Sequence, residues 1–321
     1  MDRKFIMGIS SVTGFQPDII EKACRLAFLL KEINNHHLLS KEIVLKGGTA
    51  INFLYLPLPR LSVDLDFNFI GSIKKDEKDL KRKNLAKYLL DIFVFLGYQV
   101  EERSEYGLHQ FFLNYKNSAS NKDVIKIEIN YLMRVSVLPL REKKLNLPIF
   151  KDVAVNVKTL SFEENYAGKI HALLARGAGR DLFDVYYLLN KGIKYKVSLL
   201  RKTVIFFGCL NRKDFRKFFS GSIDKITEKQ IKSDLLPLLR KSSRPSRDKM
   251  IKKVKPILDD ILSFRKQEKE YIKYFFEGSF MPELLFAKEK IVDLESLRKH
   301  PVVLWKQFHI KEWLKSHRFK V

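Results

Sequence analysis

Asp64 and Asp66 are the residues from which chemistry can be read most directly. They stand one residue apart in Arg60-Leu61-Ser62-Val63-Asp64-Leu65-Asp66-Phe67, inside the alternating stretch Val63–Ile70. Alternation predicts a strand, and on a strand residues two apart share a face. Both carboxylates then point one way while Leu65 and Phe67 point into a core. Two like charges about 7 Å apart repel unless a cation lies between them. A hard divalent ion fits, because Mg²⁺ takes oxygen ligands and keeps open positions for substrate phosphates. Two solvated acids on an exposed strand are the plainer alternative, but aspartate is depleted in strands and Val63, Leu65 and Phe67 flank the pair.

A second signal lies upstream. Ile43-Val44-Leu45 reads as a short strand, Gly47-Gly48 breaks it, and Thr49–Leu56 reads as a helix ended by Pro57 and Pro59. Glycines at a strand-to-helix junction let backbone approach a phosphate, although such a pair is often turn chemistry alone. A third acid lies in Lys126-Ile127-Glu128-Ile129-Asn130, where Ile125, Ile127 and Ile129 take one face and Lys126, Glu128 and Asn130 the other. Glu128 completes a metal site only if its strand neighbours that of Asp64 and Asp66.

The elements around these residues divide the chain. Pro17 and Asp18 open an amphipathic helix over residues 17–39. Leu80–Leu96 has helical periodicity and closes at Gly97. Tyr98–Arg103, Leu108–Tyr115 and Val124–Met133 read as strands, the last two joined by a turn at Lys116–Asp123, and Val153–Val157 as one more. Beyond Ser161 nearly everything reads as helix, with loops near 177–179, 190–192 and 242–246. The expected fold class is α+β: a mixed sheet with flanking helices over residues 1–160, then an all-helical domain over 161–321.

On the helix expected from Phe162, Asn165, Lys169 and Arg176 share one face, and Ile170, Leu173 and Leu174 form the buried one. A lysine fixed on a helix could supply charge to a leaving pyrophosphate; a solvated lysine is the commoner fate. Arg180 and Asp181 begin another helix. Asp181 reads as a first-turn or N-cap acid, whereas Asp184, among Phe183, Val185 and Tyr186, needs a partner such as Arg180 or Lys169 if buried. His171 reads as a packed or surface residue rather than a base.

Composition bounds the rest. The 321 residues hold 61 Lys and Arg against 37 Asp and Glu, a net charge of +24 that favours a polyanionic partner, nucleic acid before an anionic membrane. The surplus is +7 over residues 1–160 and +15 over residues 201–321. It is densest in the last third, where Arg240, Lys241, Arg244, Arg247, Lys249, Lys252, Lys253 and Lys255 face one acid, Asp248. Such density suits phosphate-backbone contact, and equally a solvated surface. Two cysteines and seven scattered histidines exclude a disulfide scaffold and a cysteine-rich zinc site. There is no apolar run of spanning length and no secretory pattern in the first residues, so a cytoplasmic protein away from membranes is expected.

A glycine pair, a short helix, an Asp-x-Asp strand and a later strand acid follow the plan of the DNA polymerase β-like nucleotidyltransferase fold. Lys46-Gly47-Gly48-Thr49-Ala50 with Arg60-x-Ser62-x-Asp64-x-Asp66-Phe67 resembles the AbiEii/AbiGii family of nucleotidyltransferase-like toxins. So do Glu164-Asn165-Tyr166-x-x-Lys169-Ile170-x-Ala172 and Arg180-Asp181-x-x-Asp184. These blocks lie between residues 45 and 190, and the set in order is specific where any one block is not. The resemblance implies that Gly47, Gly48 and Thr49 hold nucleotide phosphates, that Asp64 and Asp66 hold Mg²⁺ or Mn²⁺ with Ser62 beside them, and that Lys169 contacts the triphosphate. It places Asp184 in the last catalytic motif and Glu128 as the fold's third acid. The implied activity is transfer of a nucleoside monophosphate from an NTP to an acceptor. Charge favours RNA as that acceptor, tRNA first, with Arg240, Lys241, Arg244, Arg247, Lys252 and Lys253 as its contacts. The implied role is the toxin of a bacterial toxin–antitoxin or phage-defence pair, restrained by a separate antitoxin. The rival reading is a protein of the same fold that binds nucleotide or RNA without turnover.

Overall fold

Seen in a computed structural model that describes residues 1–145, 147, 153–189, 194–211 and 213–318, the chain divides into two compact units. One comprises residues 1–134, 140–160 and 229–245; the other comprises 135–139, 161–228 and 246–321.

The first unit is built on one seven-stranded sheet. Its strands are β1 (Ile43–Lys46), β2 (Asp64–Phe69), β3 (Gln99–Glu105), β4 (Leu108–Lys116), β5 (Lys122–Asn130), β6 (Arg141–Lys144) and β7 (Asn156–Thr159). The order across the sheet is β3-β4-β5-β2-β1-β7-β6. β2 lies antiparallel to β1 and parallel to β5, and β1 lies parallel to β7. Alternation explains the orientation: Leu65, Phe67 and Phe69 of β2, Phe111 and Leu113 of β4, and Ile125, Ile127 and Ile129 of β5 are buried in one core. The helices Pro17–Asn35 and Lys75–Phe95 contribute Ile20, Ala23, Ala27, Leu85, Leu89 and Phe93 to it. Phe93 meets Phe111 edge-on at 5.5 Å between centroids. Each such side chain contributes about 1.5–3 kcal/mol by leaving water, so a one-residue slip of β2 would cost several of these at once.

Several expectations shift. The helix after β1 starts at Gly47 rather than Thr49, and its second half, Ile51–Tyr55, is a π turn. The expected Val153–Val157 strand lies at Asn156–Thr159, because pairing with β1 and β6 sets its bounds. β6, which is Arg-Glu-Lys-Lys, is fully exposed and has no apolar alternation to betray it. An N-terminal helix, Arg3–Thr13, precedes the expected elements; Asp2 caps it and Gly14 ends it in the left-handed region.

The second unit is helical. Phe162–Arg176, Gly179–Leu188, Val197–Leu210, Arg247–Leu262, Lys266–Phe276 and Pro301–Arg318 are its longer helices. Phe206, Cys209, Phe215, Tyr271, Phe275 and Phe286 lie in its core. Buried Arg201 donates from Nε and Nη2 to the two carboxylate oxygens of Glu268 at 2.7 and 2.8 Å. Cys24 and Cys209 are both buried and free. No helix among the described residues is long and apolar enough to cross a membrane.

Residues 135–139 belong to this unit through Glu164, whose carboxylate accepts the backbone N–H groups of Val137 and Leu138 at 3.0 and 2.9 Å. Burial raises Glu164 to about 7 against those two donors, and burial lowers His171 to about 4. His171 Nε2 lies 2.6 Å from Asn211 Nδ2, so this residue is packed and neutral near pH 7. The two shifts act oppositely. Glu164 contributes stability that is complete below pH 4.5 and lost as pH rises through 7; His171 contributes stability present above pH 6.5 and lost as pH falls through 4. Each amounts to about 3 kcal/mol. Between pH 4.5 and 6.5 they offset, so Glu164→Gln is expected to uncover a rise of about 3 kcal/mol in unfolding free energy over that interval. Urea titrations at stepped pH test this, and an unchanged pH slope in the variant refutes it.

Candidate active site

The sheet brings the strand acids into register. Asp66 pairs with Glu128 on one side and with Lys46 on the other, while Asp64 pairs with Lys126. Residues paired across a ladder present side chains to the same face, so Lys46, Asp66 and Glu128 form one polar row and Lys126 and Asp64 an adjacent one. Asp64 and Asp66 are half-buried, with Leu65 and Phe67 turned to the core.

The glycine turn is fitted to this row. Gly47 has φ +76°, and a Cβ there would stand 2.7 Å from Asp66 Oδ2. Glycine is therefore required twice, by backbone conformation and by the approach of the carboxylate. The turn is tied to β2 by buried Thr49, whose hydroxyl hydrogen-bonds with Ser62 Oγ at 2.7 Å and with the Asp64 carbonyl. Asn52, fully buried, donates to the Gly48 carbonyl at 2.8 Å. Thr49 and Ser62 thus brace the turn against the acid strand in this structure.

The donor set suits a hard cation. Two half-buried carboxylates from one strand offer oxygen only, and Mg²⁺ is held by one or two carboxylates with water and substrate phosphate completing its shell. Glu128 sits beside Asp66, but its carboxylate takes a hydrogen bond from Gln110 Nε2 at 2.5 Å and pairs with Lys126 Nζ at 3.3 Å. Among the described residues no three His, Cys, Asp or Glu side chains converge tightly enough to cage a metal ion. The oxygen donors of Asp64 and Asp66, with Glu128 in register beside Asp66, fit the chemistry of such an ion.

In the helical unit, Ser161 caps the Phe162–Arg176 helix and Gly177, at φ +64°, ends it. Asn165 and Lys169 are buried alongside Ile170, Leu173 and Leu174, whereas Arg176, the third residue of their expected face, is exposed. Lys169 Nζ pairs with Asp181 Oδ1 at 2.8 Å and with Asp184 Oδ2 at 3.1 Å. Arg176 donates to Asp181 from Nε at 2.7 Å and from Nη2 at 3.1 Å. Both aspartates are fully buried. Burial alone would raise Asp181, but Lys169 and Arg176 overcome it and hold the carboxyl at about 2. Ala178 is the N-cap of the second helix, and Asp181 lies in its first turn. Sequence reasoning reached Lys169 and Asp184 but missed the central role of Asp181; the usable signal was its place three residues before Asp184, which puts both on one helix side.

The basic stretch serves mixed ends. The Arg240 guanidinium lies 5.0 Å from the Phe15 ring centroid. Arg247 donates to the carbonyls of Ile226 and Asp224, so it fastens local structure. Lys241 and Arg244 are exposed in the sheet unit, and Lys252 and Lys253 are exposed in the helical unit.

The family model described as nucleotidyl transferase AbiEii toxin, type IV TA system, matches residues 29–262. Among solved structures, MenT4, a nucleotidyltransferase toxin from Mycobacterium tuberculosis, superposes with TM-score 0.60 at 14% identity, over 94% of this chain and 99% of that one. A CdnC:HORMA-deltaN complex from E. coli, also 14% identical and covering 94% of this chain and 97% of that one, superposes at only 0.26. No curated protein sequence matches.

Proposed function

The chain belongs to the AbiEii nucleotidyltransferase toxin family, and from that premise we propose that it moves a nucleoside monophosphate from an NTP to a hydroxyl of RNA, tRNA first, as the toxin of a type IV toxin–antitoxin or phage-defence pair. The observation that carries the reading is the fit of Gly47 against Asp66 Oδ2, which joins a phosphate-approachable turn to the acid strand. In the reaction the acceptor oxygen bonds to the α-phosphorus, the bond from that phosphorus to pyrophosphate breaks, and the hydroxyl proton passes to water.

Asp64 and Asp66 would hold Mg²⁺ or Mn²⁺, which when bound neutralises charge on the transferring group and its leaving oxygen. Gly47 and Gly48 would lie against the phosphates, with Thr49 and Ser62 holding the turn in place. Lys169, fixed between Asp181 and Asp184, would supply positive charge to the triphosphate. Exposed Lys241, Arg244, Lys252 and Lys253 would meet the acceptor's phosphate backbone, a contact that weakens steeply with salt. The family's type IV description implies a separate antitoxin, and a cytoplasmic location accords with an RNA substrate.

The test is transfer of label from each α-phosphate-labelled NTP to total bacterial RNA, with Mg²⁺ and with chelator, for wild type and Asp64→Ala. A labelled tRNA-sized band, lost with chelator and in the variant, is the expected result. No labelled RNA from any NTP would overturn the acceptor assignment, and equal labelling by Asp64→Ala would overturn the site.

A further inference from the structure

The polar row through Asp66 extends past Glu128. Glu128 pairs with Gln110 on β4, and Gln110 pairs with Arg103 on β3. In the adjacent row Asp64 pairs with Lys126, Lys126 with Phe112, and Phe112 with Glu101. Arg103 and Phe112 are diagonal neighbours on the face that carries the carboxylates, and the Arg103 guanidinium carbon stands 5.1 Å from the Phe112 ring centroid. Strand β4 sends Phe111 and Leu113 into the core, so Phe112 lies on the opposite face. It is half-buried there, and Arg103 is exposed. An aromatic ring beneath a guanidinium, on the carboxylate face of a sheet, contributes nothing to that core.

Direction assigns the occupant. In an in-line displacement the entering and leaving oxygens lie on opposite sides of the phosphorus. The glycine turn, where the leaving phosphates would rest, follows β1, on one side of β2. Glu128, Phe112 and Arg103 lie on the other side, along β5, β4 and β3. Phe112 is two strand spacings from Asp64, about 10 Å, within reach of a terminal nucleoside whose hydroxyl lies at the carboxylates.

We propose that Arg103 and Phe112 form a platform on which the terminal base of a single-stranded nucleic-acid acceptor stacks, an inference that rests on the nucleotidyl-transfer reading of the Asp64/Asp66 site. Stacking on an aromatic face with an arginine is tolerant of base identity. The platform therefore sets acceptor class, a nucleic-acid end over a protein hydroxyl, without setting sequence.

The experiment uses the full chain and a short single-stranded RNA carrying 2-aminopurine at its 3′ end. Wild type is expected to quench the fluorescence. Phe112→Ala should lose the quench and raise the acceptor KM about tenfold or more, with the NTP KM unchanged, and Phe112→Trp should restore both. Arg103→Gln should weaken the quench in part. A quench unchanged in Phe112→Ala overturns the platform, whatever the transfer assay gives, and so does a wild type that never quenches. A wild type that quenches, loses the quench in Phe112→Ala and yet labels no RNA supports the platform while overturning the transfer reading. Labelling of protein rather than RNA, with no quench, overturns both.

Discussion

Replacing Asp66 by asparagine is expected to lower nucleotidyl transfer by about a thousandfold or more while leaving the fold in place. The substitution keeps the side chain's size, so the close approach of Gly47 to the Oδ2 position and the β1 and β5 pairings of residue 66 survive. What goes is one of two carboxylates from which a cation can be held, and with it several kcal/mol of transition-state charge stabilisation. Loss of that size should fall on kcat rather than on stability, since Asp66 is half-buried and lies outside the apolar core. The measurement pairs steady-state transfer with urea unfolding for wild type and variant. Activity within tenfold of wild type would mean that Asp66 does not hold the ion.

How much of this was legible varies with the range of the interaction. Period-two alternation is local, so Asp64 and Asp66 on one face, and Glu128 opposite its isoleucines, could be read directly. The register that sets Glu128 beside Asp66 could not, because strands far apart in sequence carry no local mark of their pairing. The same limit hid Lys229–Pro245. That stretch belongs to the sheet unit through the Leu61 N–H to Leu238 carbonyl bond and the Lys241 N–H to Gly14 carbonyl bond, whereas its helical pattern groups it with the helices that follow Ser161. Strand β6 failed for another reason: its four charged, exposed residues have no face to alternate. In Lys169 the sequence showed a charge on a helix but not its burial. Burial depended on finding two buried counter-charges on the next helix, which only packing shows.

That cluster yields the largest expected effect on stability. Lys169→Met should lower the unfolding free energy by about 3–5 kcal/mol, because it takes from buried Asp181 and Asp184 the ammonium that pairs with both. Arg176 still reaches Asp181, but its side chain is 62% exposed, and water screens what it can restore. The charge on Asp181 gives the effect a pH signature. Its carboxyl is held at about 2, below an ordinary 3.8, so in wild type this contribution is present above pH 3.8 and lost as pH falls through 2. In Lys169→Met the shift should shrink or reverse, and acid should then destabilise the protein less. Asp181→Asn combined with Lys169→Met separates charge from shape. The double variant should lose less than the sum of the singles by about 2 kcal/mol, since asparagine leaves no stranded charge at that position. Additive losses would mean that the Lys169 ammonium and the Asp181 carboxylate contribute independently, so that their pairing does not hold the two helices together.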